Sequence, residues 1–345
     1  MEHATFFNWL AAETETVWWH DSADPDELSV ALRQRAVGVT TNPLLTAQAM
    51  HAQPAHWRDR VAEVSASLQG EARAEAMMQI VASETAARLL PVFEASGQRQ
   101  GYVCAQVNPS RAGDRADMLA QARRLHNWAP NISVKLPATA AGLDVLEECA
   151  AEGICTTATV SFTVPQVLAA SAAYATGAAR CRAAGRPVPR CFPVIMIGRL
   201  DDYLREVAQD QQAEVSEADL RHAGLACVKQ AYQILTGQGS GVMLIIAALR
   251  GVHHVAGLAG ARLILSIHPS VQSKLLEPGV PRELAIDQPV PADVLARLRR
   301  LPEFVRAYEP DCMRPAEFVT YGVTQRTLSQ FIEAGWKPLE TMRIR

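Results

Sequence analysis

The sequence predicts an α/β fold, a closed (β/α)8 barrel, because eight short apolar runs typical of β-strands alternate with segments of helical periodicity. Strands that alternate with helices pair in parallel through helical crossovers, and eight such units suffice to close a barrel. The chain of 345 residues is long enough for one such barrel, and its 49% apolar residues can fill the core. The eight runs are Val17–His20, Val37–Thr40, Tyr102–Val107, Ile132–Leu136, Thr156–Ser161, Phe192–Ile197, Met243–Ala248 and Leu263–Ser266.

Helical segments account for most of the sequence between these runs. The long interval between the second and third strands reads as helices rather than as a separate domain. The predicted segments are Pro54–Leu68, Glu71–Gly97, Asp114–Trp128, Gly142–Glu152, Pro165–Arg182 and Glu217–Leu235. We expect a single domain over residues 1–345, with core strands from about 17 to 266, an extra N-terminal helix and a C-terminal helical tail over about 290–345.

Composition and charge narrow the function classes. A net charge of −3 gives no general attraction to nucleic acid or to an anionic membrane surface. The polar start at Met1–Thr5 lacks a signal-peptide pattern, and the longest apolar run, Val242–Leu249, is too short to span a bilayer. The seven cysteines include no Cys-x-x-Cys pair, which favours reduced core cysteines in a cytoplasmic protein. We predict no metal site, because the pair His253–His254 has no further ligands at metal spacing.

The fourth run, Ile132–Leu136, places a lysine inside an apolar strand. Successive side chains of a strand point to opposite faces, so Lys135 points away from the three aliphatic side chains of this run. Burial disfavours a charged ammonium, and a neutral amine attacks carbonyl groups to form a Schiff base. The alternative is a lysine at a strand end whose ammonium reaches water.

Two other strands have polar side chains on one face. Cys104 and Gln106 share a face of the third run, and Thr157 and Thr159 share a face of the fifth. Both polar sets extend to the carboxyl end of the strand, where barrel enzymes carry their chemistry. A site at that end of the barrel is the functional interpretation, and hydrogen bonding within the barrel core is the alternative.

Four motifs, in this order and spacing, carry a resemblance to a known family. They are GVTTNP at Gly38–Pro43, GYV at Gly101–Val103, VKLPAT at Val134–Thr139 followed by Gly142, and EGI at Glu152–Ile154 leading to Thr159. From Phe6 to Ile332 the chain resembles the transaldolase superfamily, which comprises the true transaldolases and the smaller fructose 6-phosphate aldolase-like lyases. The resemblance implies a barrel of the class I aldolase type that cleaves a ketose between its third and fourth carbons through a lysine Schiff base.

The resemblance also implies partners and a place in metabolism. It implies a transferase of carbohydrate metabolism, of the kind found in the pentose phosphate pathway, with phosphorylated sugars as its substrates. It implies neither a metal nor an organic cofactor. Family members are often dimeric or larger, so a homodimer is an open expectation.

Three residues match the reacting and hydroxyl-binding positions of the family. Lys135 matches the Schiff-base lysine, and Asp21 matches the acid/base aspartate that removes a proton from the hydroxyl on the fourth carbon. The alternative for Asp21 is to cap the helix that begins near Pro25, although Asp24 is better placed to do so. Asn42 matches the asparagine that hydrogen-bonds sugar hydroxyls, and as part of an Asn-Pro pair it can also cap a helix.

Three more residues match positions that hold water and phosphate. Thr159 matches a threonine that helps to hold the water used in forming and hydrolysing the imine. Arg199 and Arg250 match the arginines that bind the substrate phosphate, a role suited to a planar guanidinium with a fork of donors. A surface salt bridge is the alternative for either arginine alone.

Several positions depart from the family pattern. Gln106 stands where true transaldolases have a glutamate that works with the water, and the lyase branch has glutamine there. Met196 stands where the lyase branch has a tyrosine. Thr157, a candidate substrate contact, replaces a transaldolase asparagine, and Val194 and Ala248 replace serines. Because a glutamine takes no proton at neutral pH, proton transfer would depend on the aspartate.

Three functions are therefore in competition. The first is a transaldolase-type enzyme that transfers a dihydroxyacetone unit between sugar phosphates. The second is an aldolase (lyase) that cleaves a ketose phosphate such as fructose 6-phosphate, which Gln106 favours and the length of the chain does not. The third is an inactive barrel that keeps sugar-phosphate binding after Lys135→Ala. The predicted catalytic residues are Lys135, Asp21, Thr159 and Gln106, and the predicted substrate-binding residues are Asn42, Thr157, Arg199 and Arg250.

Overall fold

The computed structural model, which describes residues 5–64 and 67–344, contains a closed barrel of eight parallel strands. The strands are β1 (Val17–His20), β2 (Gly38–Val39), β3 (Tyr102–Gln106), β4 (Ile132–Pro137), β5 (Thr156–Thr159), β6 (Cys191–Met196), β7 (Ile245–Ala247) and β8 (Ile264–Ile267). Each strand pairs with the next along the chain, and β8 pairs with β1. The predicted (β/α)8 barrel is confirmed, and every strand overlaps its predicted run.

Helices surround the barrel and extend beyond it at both ends. In chain order they are α1 (Phe6–Glu13), α2 (Pro25–Arg33), α3 (Pro43–Ala52), α4 (Pro54–Glu63), α5 (Gly70–Ala95), α6 (Arg115–His126), α7 (Ala140–Glu152), α8 (Val164–Ala183), α9 (Ile197–Asp210), α10 (Glu217–Leu220), α11 (Ala223–Gly237), α12 (Val252–Ala256), α13 (Pro269–Leu275), α14 (Ala292–Leu298), α15 (Pro302–Tyr308), α16 (Pro315–Phe318), α17 (Gly322–Gln330) and α18 (Lys337–Glu340). A 3₁₀ turn spans Pro109–Arg111, and a π-helical segment spans Phe331–Trp336. The predicted N-terminal helix and C-terminal helical tail are both present.

Two predicted helices differ from the structure. The segment Glu217–Leu235 is not one helix, because it divides into α10 and α11. The new helix begins where the backbone N–H of Gly224 donates to the Asp201 carboxylate at 2.8 Å, which caps one of the free N–H groups of the first turn. The segment predicted as Pro54–Leu68 is helical as far as Glu63, and residues 65 and 66 of that prediction lie outside the described residues.

The period-two pattern of β4 decides which side chains enter the barrel. Ile132, Val134 and Leu136 are fully buried in the layer between the strand and the helices α6 and α7. Ser133 and Lys135 point to the opposite side, into the barrel. The strand therefore presents its aliphatic side chains to the helices and its polar side chains to the barrel interior, as its sequence predicts.

The barrel interior changes character along its axis. Near the amino ends of the strands it is filled by aromatic rings, with the Phe192 ring 5.1 Å from that of Trp19 and 5.3 Å from that of Tyr102. Nearer the carboxyl ends the side chains are small and polar, and the hydroxyls of Ser133 and Thr157 lie 2.7 Å apart. The interior is therefore closed by aromatic packing at one end and polar at the other, where a site is expected.

The cysteines are all unpaired, and all but one of them are buried. Cys312, in the tail, is exposed, so the prediction of core cysteines is wrong for this residue alone. Among the described helices, none combines the length and hydrophobicity that crossing a bilayer requires.

Candidate active site

A cavity of about 390 Å³ opens at the carboxyl ends of the strands. Six of the eight predicted site residues line it, and the other two, Gln106 and Thr157, do not. The six are Asp21, Asn42, Lys135, Thr159, Arg199 and Arg250. The barrel thus brings together residues that are far apart in the sequence, from Asp21 to Arg250.

Lys135 lies on the cavity wall with only 6% of its surface exposed. Its Nζ donates a hydrogen bond to the backbone carbonyl of Thr41 at 3.2 Å, which is its one hydrogen bond within the described chain. The nitrogen therefore lies at the cavity surface, tethered by one neutral acceptor. This arrangement leaves the amine accessible to a carbonyl group that enters the cavity.

Asp21 follows β1 and is fixed by Thr40, the residue directly after β2. The Thr40 hydroxyl donates to Asp21 Oδ1 at 2.7 Å and lies 2.5 Å from the Ser266 hydroxyl. Asp24, not Asp21, caps α2, since its carboxylate accepts the N–H groups of residues 26 and 27. The prediction that Asp24 rather than Asp21 caps this helix is therefore confirmed. The Asp21 side chain lines the cavity instead.

The charges of Lys135 and Asp21 both act on a third residue beneath them. Burial raises the pKa of the Cys104 thiol, Lys135 lowers it, and Asp21 raises it. Both groups are therefore within electrostatic range of the same buried thiol on β3. Since both also line the same cavity, an amine and a carboxylate are available there as nucleophile and base.

Thr159 and Gln106 flank the lysine on the neighbouring strands. Thr159 is the last residue of β5 and lines the cavity. Gln106 is the last residue of β3, pairs in register with Lys135, and is 3% exposed. Its Oε1 is buried and accepts no hydrogen bond from the described residues. Since buried polar atoms are nearly always paired, this oxygen is suited to accept a bond from a water molecule.

Thr157 lies one layer deeper in the barrel than the cavity. Its hydroxyl is 2.7 Å from that of Ser133 and 3.6 Å from the sulfur of Cys104, and its side chain is fully buried. For Thr157, these contacts agree with the alternative interpretation of the polar strand faces, which was hydrogen bonding within the barrel core. Thr157 supports the strands that carry Lys135 and Thr159.

Asn42 has the two features that its Asn-Pro sequence suggests. Its Oδ1 accepts the backbone N–H of Leu45 at 3.0 Å and caps α3, whose first residue is Pro43. The same side chain lines the cavity. The cap uses the carbonyl oxygen, so the amide nitrogen is left to donate to a substrate hydroxyl.

Arg199 lies in the first turn of α9 and is held by the C-terminal tail. Its Nη1 donates to Gln330 Oε1 at 2.6 Å, and its guanidinium lies 5.4 Å from the centre of the Phe331 ring. Burial, and next the positive charge of Arg250, lower the pKa of Arg199. A partly desolvated guanidinium beside a second cation is a favourable place for an anion.

Arg250 lies in the loop after β7 and is more exposed than Arg199. Its Nε and Nη2 donate to Asp202 Oδ2 at 2.9 and 2.7 Å, and its Nη1 donates to the carbonyl of Ala248 at 3.1 Å. The salt bridge that the sequence analysis gave as the alternative role of Arg250 is therefore present. The same side chain also lines the cavity. Since surface ion pairs are weak, a dianionic ligand can compete with Asp202 for this guanidinium.

Two residues at the rim have left-handed backbone conformations that are rare outside glycine. Val160, directly after Thr159, has a φ of 51°, and Ala248, directly after β7, has a φ of 58°. The Gln166 side chain holds the first bend, since its Nε2 donates to the Val160 carbonyl at 3.1 Å. Backbone strain of this kind concentrates at functional sites, and here it occurs where two strands reach the cavity.

Apart from Arg250, the wall formed by β6, β7 and the loop that follows β7 is apolar. Met196 and Val194 from β6 line it beside residues of β7 and its loop. The further apolar lining residues on this side are Ile245, Ala247, Ala248 and Leu249. The polar lining residues Asp21, Thr40, Asn42, Lys135 and Thr159 lie instead on the side of β1, β2, β4 and β5.

Sequence reasoning missed several lining residues. His268, Ser270 and Lys274 come from the segment that follows β8, and Phe331 comes from the tail. The first three could have been found, because residues after a barrel strand face the same mouth and His268-Pro269 is a helix-start signal. Phe331 carries no local signal, since its place depends on how the tail packs. Within the described ranges, no three His, Cys, Asp or Glu side chains converge to hold a metal ion.

Comparison with known proteins gives a consistent result. The family model for transaldolase/fructose-6-phosphate aldolase matches residues 18–304. The transaldolase of Neisseria gonorrhoeae is 32% identical over 240 residues, which cover 67% of this chain and 68% of that protein. The transaldolase of Thiobacillus denitrificans is 29% identical over 315 residues, which cover 88% of this chain and 86% of that protein. Transaldolase 1 of Streptomyces avermitilis is 29% identical over 255 residues, which cover 71% of this chain and 67% of that protein.

Proposed function

The chain belongs to the transaldolase/fructose-6-phosphate aldolase family, and we propose that it transfers a dihydroxyacetone unit between sugar phosphates through an imine on Lys135. One observation carries the proposal. The amine of Lys135 and the carboxylate of Asp21, from β4 and the end of β1, line the same cavity at the carboxyl ends of the strands. This is where barrel enzymes place their reacting groups.

The first half of the reaction cleaves the donor ketose. The Nζ atom of Lys135 adds to the keto carbon, and loss of one water molecule leaves an iminium ion. Asp21 then accepts the proton of the hydroxyl on the fourth carbon. The bond between the third and fourth carbons breaks, its electron pair moves into the iminium to form an enamine, and an aldehyde leaves.

The second half of the reaction reverses these steps on a new aldehyde. The enamine attacks the carbonyl carbon of the acceptor, and the alkoxide that forms takes the proton back from Asp21. Addition of one water molecule hydrolyses the iminium, which frees the Lys135 amine and the product ketose. Over a full cycle, Asp21 gives back the proton that it accepted, and the water molecule lost when the iminium forms is balanced by the one that hydrolyses it.

The other cavity residues are assigned roles by their position. Asn42 donates to a sugar hydroxyl, and Thr159 and Gln106 orient the water. Arg199 and Arg250, on the opposite side of the mouth, bind the phosphate. We propose a supporting role for Thr157 instead of the direct substrate contact expected from the resemblance, because its hydroxyl is bonded to Ser133 below the cavity.

A lyase is the second candidate, and Gln106 is the observation that favours it. The glutamine positions a water molecule next to Lys135 without taking its proton, as in the lyase branch that the sequence resembles. Protonation of the enamine carbon, with the proton that Asp21 took from the hydroxyl on the fourth carbon, gives an iminium ion, and its hydrolysis by one water molecule would release the three-carbon unit without an acceptor. Both functions proceed through the same imine and enamine on Lys135. In the transferase the enamine attacks an acceptor aldehyde, whereas in the lyase the three-carbon unit is released by hydrolysis.

Product analysis with and without an acceptor tests the proposal. The enzyme is incubated with fructose 6-phosphate alone and then with an added four-carbon aldose phosphate. A transferase yields a longer ketose phosphate only in the second mixture, whereas a lyase releases dihydroxyacetone in the first. Failure to form either product would contradict the proposal. A homodimer and a cytoplasmic location stay predictions.

A further inference from the structure

A buried histidine and aspartate lie behind the two arginines of the mouth and belong to no step described above. His254, on α12, is fully buried, and Asp201, on α9, is 3% exposed. His254 Nε2 lies 2.8 Å from Asp201 Oδ2. Neither residue lines the cavity, so neither touches the substrate.

The hydrogen bonds of this pair fix its protonation pattern. The backbone N–H of Arg250 donates to His254 Nδ1 at 3.1 Å, so Nδ1 carries a lone pair. In the neutral ring the proton is then on Nε2, which donates it to Asp201. The second oxygen of Asp201 accepts the N–H of Gly224 from α11 at 2.8 Å. Every polar atom of the two side chains is therefore used.

These bonds connect the two segments that carry the arginines. Asp201 is two residues after Arg199 in the same helix turn, and His254 is bonded to the backbone of Arg250 itself. Glycine allows the same two segments to approach closely. A Cβ at Gly198 would overlap the Ala248 carbonyl and the Cγ of Arg250. The segments that carry Arg199 and Arg250 are thus joined by the buried pair and by the close approach at Gly198.

The energetics favour a positioning role over a stabilising one. Burial of a charged or polar pair costs desolvation energy that apolar side chains of similar size would not incur. The best-supported role of buried polar pairs in proteins is to favour one arrangement of the surrounding segments over others. Here the arrangement selected is that of two guanidinium groups which must meet one phosphate.

We infer that Asp201 and His254 are positioning residues that set the separation of Arg199 and Arg250 and thereby the affinity of the site for the phosphate end of the substrate. The inference rests on the proposed function for the identity of the anion. It predicts that breaking the bond to the Arg250 backbone weakens phosphate binding, although neither partner touches phosphate.

Two substitutions of His254 separate its two bonds. In His254→Gln, the amide nitrogen can still reach Asp201, but the acceptor for the Arg250 N–H is lost. In His254→Asn, the side-chain oxygen can still accept that N–H, but the donor to Asp201 is lost. The adjacent His253 contacts neither Asp201 nor the Arg250 backbone through a hydrogen bond, so His253→Gln is the matched control.

Calorimetric titration of the full-length protein with inorganic phosphate tests the inference. We expect His254→Gln to bind phosphate about tenfold more weakly than the unmodified chain, a loss of about 1.4 kcal/mol of binding free energy, because the two guanidinium groups are no longer held at the separation that suits one phosphate. His254→Asn should lose less affinity than His254→Gln, and His253→Gln should lose none. Thermal unfolding of each variant shows whether it is folded.

The same variants are assayed with fructose 6-phosphate and with unphosphorylated fructose. A positioning role raises KM for the phosphorylated ketose alone, whereas a purely structural role lowers turnover of both. Equal phosphate affinity of folded His254→Gln and the unmodified chain would overturn the inference, as would an unmodified chain that binds no phosphate. Failure of the proposed function is distinct, because it is recognised by the absence of any imine on Lys135.

Discussion

The two halves of the barrel mouth are built in different ways. On the lysine half, each polar side chain lies in its own strand or in the short segment directly after it, as with Lys135, Asp21 and Asn42. On the arginine half, Arg199 and Arg250 are held by residues far away in the sequence, such as Gln330 and Asp202. In the proposed function, the reacting groups are therefore placed mainly by their own strands, whereas phosphate binding depends on contacts between segments far apart in the sequence. Substitutions on the lysine half should therefore change kcat, and those on the arginine half should change KM.

Substitution of the lysine gives the largest expected effect. In Lys135→Met the chain keeps a side chain of similar length without the amine, so no imine forms and turnover should fall by roughly a thousandfold or more. Steady-state assay with fructose 6-phosphate and an aldose acceptor measures this. Lys274→Met is the matched control, since Lys274 is an exposed lysine on the same cavity. If the two variants lost activity equally, the distinction between the halves would be wrong.

Removal of the carboxylate charge at Asp21 should give the next largest effect. In Asp21→Asn the side chain can still accept the bond from Thr40 but cannot take a proton, so kcat should fall by about 10² to 10⁴ while the imine still forms. Asp24→Asn keeps a good helix cap and serves as the control. A small effect of Asp21→Asn on kcat would assign the base to another residue.

A methyl group added at Gly198 tests the arginine half. Gly198→Ala should displace Arg250, raise KM for a phosphorylated ketose by roughly tenfold, and lower the free energy of unfolding by about 1–3 kcal/mol through overpacking. Gly237→Ala, at the end of α11, is the control, because no described atom lies within 4 Å of its added Cβ. An unchanged KM in Gly198→Ala would show that the close approach of the two segments does not set the phosphate site.

The smallest expected effect is a gain in stability. Ala248 has a left-handed φ of 58°, and Ala248→Gly should raise the free energy of unfolding by about 0.5 kcal/mol, since relief of about 1–2 kcal/mol of strain exceeds the added flexibility of glycine. Ala247→Gly, one residue earlier in β7, should instead be destabilising. Urea unfolding of both variants measures the difference, and a loss of stability in Ala248→Gly would refute the assignment of strain.

The same division explains what could be predicted from the sequence. All eight strands followed from short apolar runs, and the inward direction of Lys135 followed from the period-two pattern of β4, because residues adjacent in the chain determine both. The division of Glu217–Leu235 into two helices could not be predicted, since it depends on Asp201 accepting the N–H of Gly224 from another helix. The contact of Phe331 with Arg199 depends on how the C-terminal tail folds over the barrel, and no local pattern indicates it.

Borohydride trapping tests the central claim most directly. The full-length protein is incubated with fructose 6-phosphate, reduced with borohydride, digested and analysed by mass spectrometry, with Lys135→Met treated in parallel. We predict a stable ketose-derived adduct on the peptide that contains Lys135 and none in the variant. An adduct on another lysine, or no adduct at all, would contradict the assignment of Lys135 as the imine-forming residue.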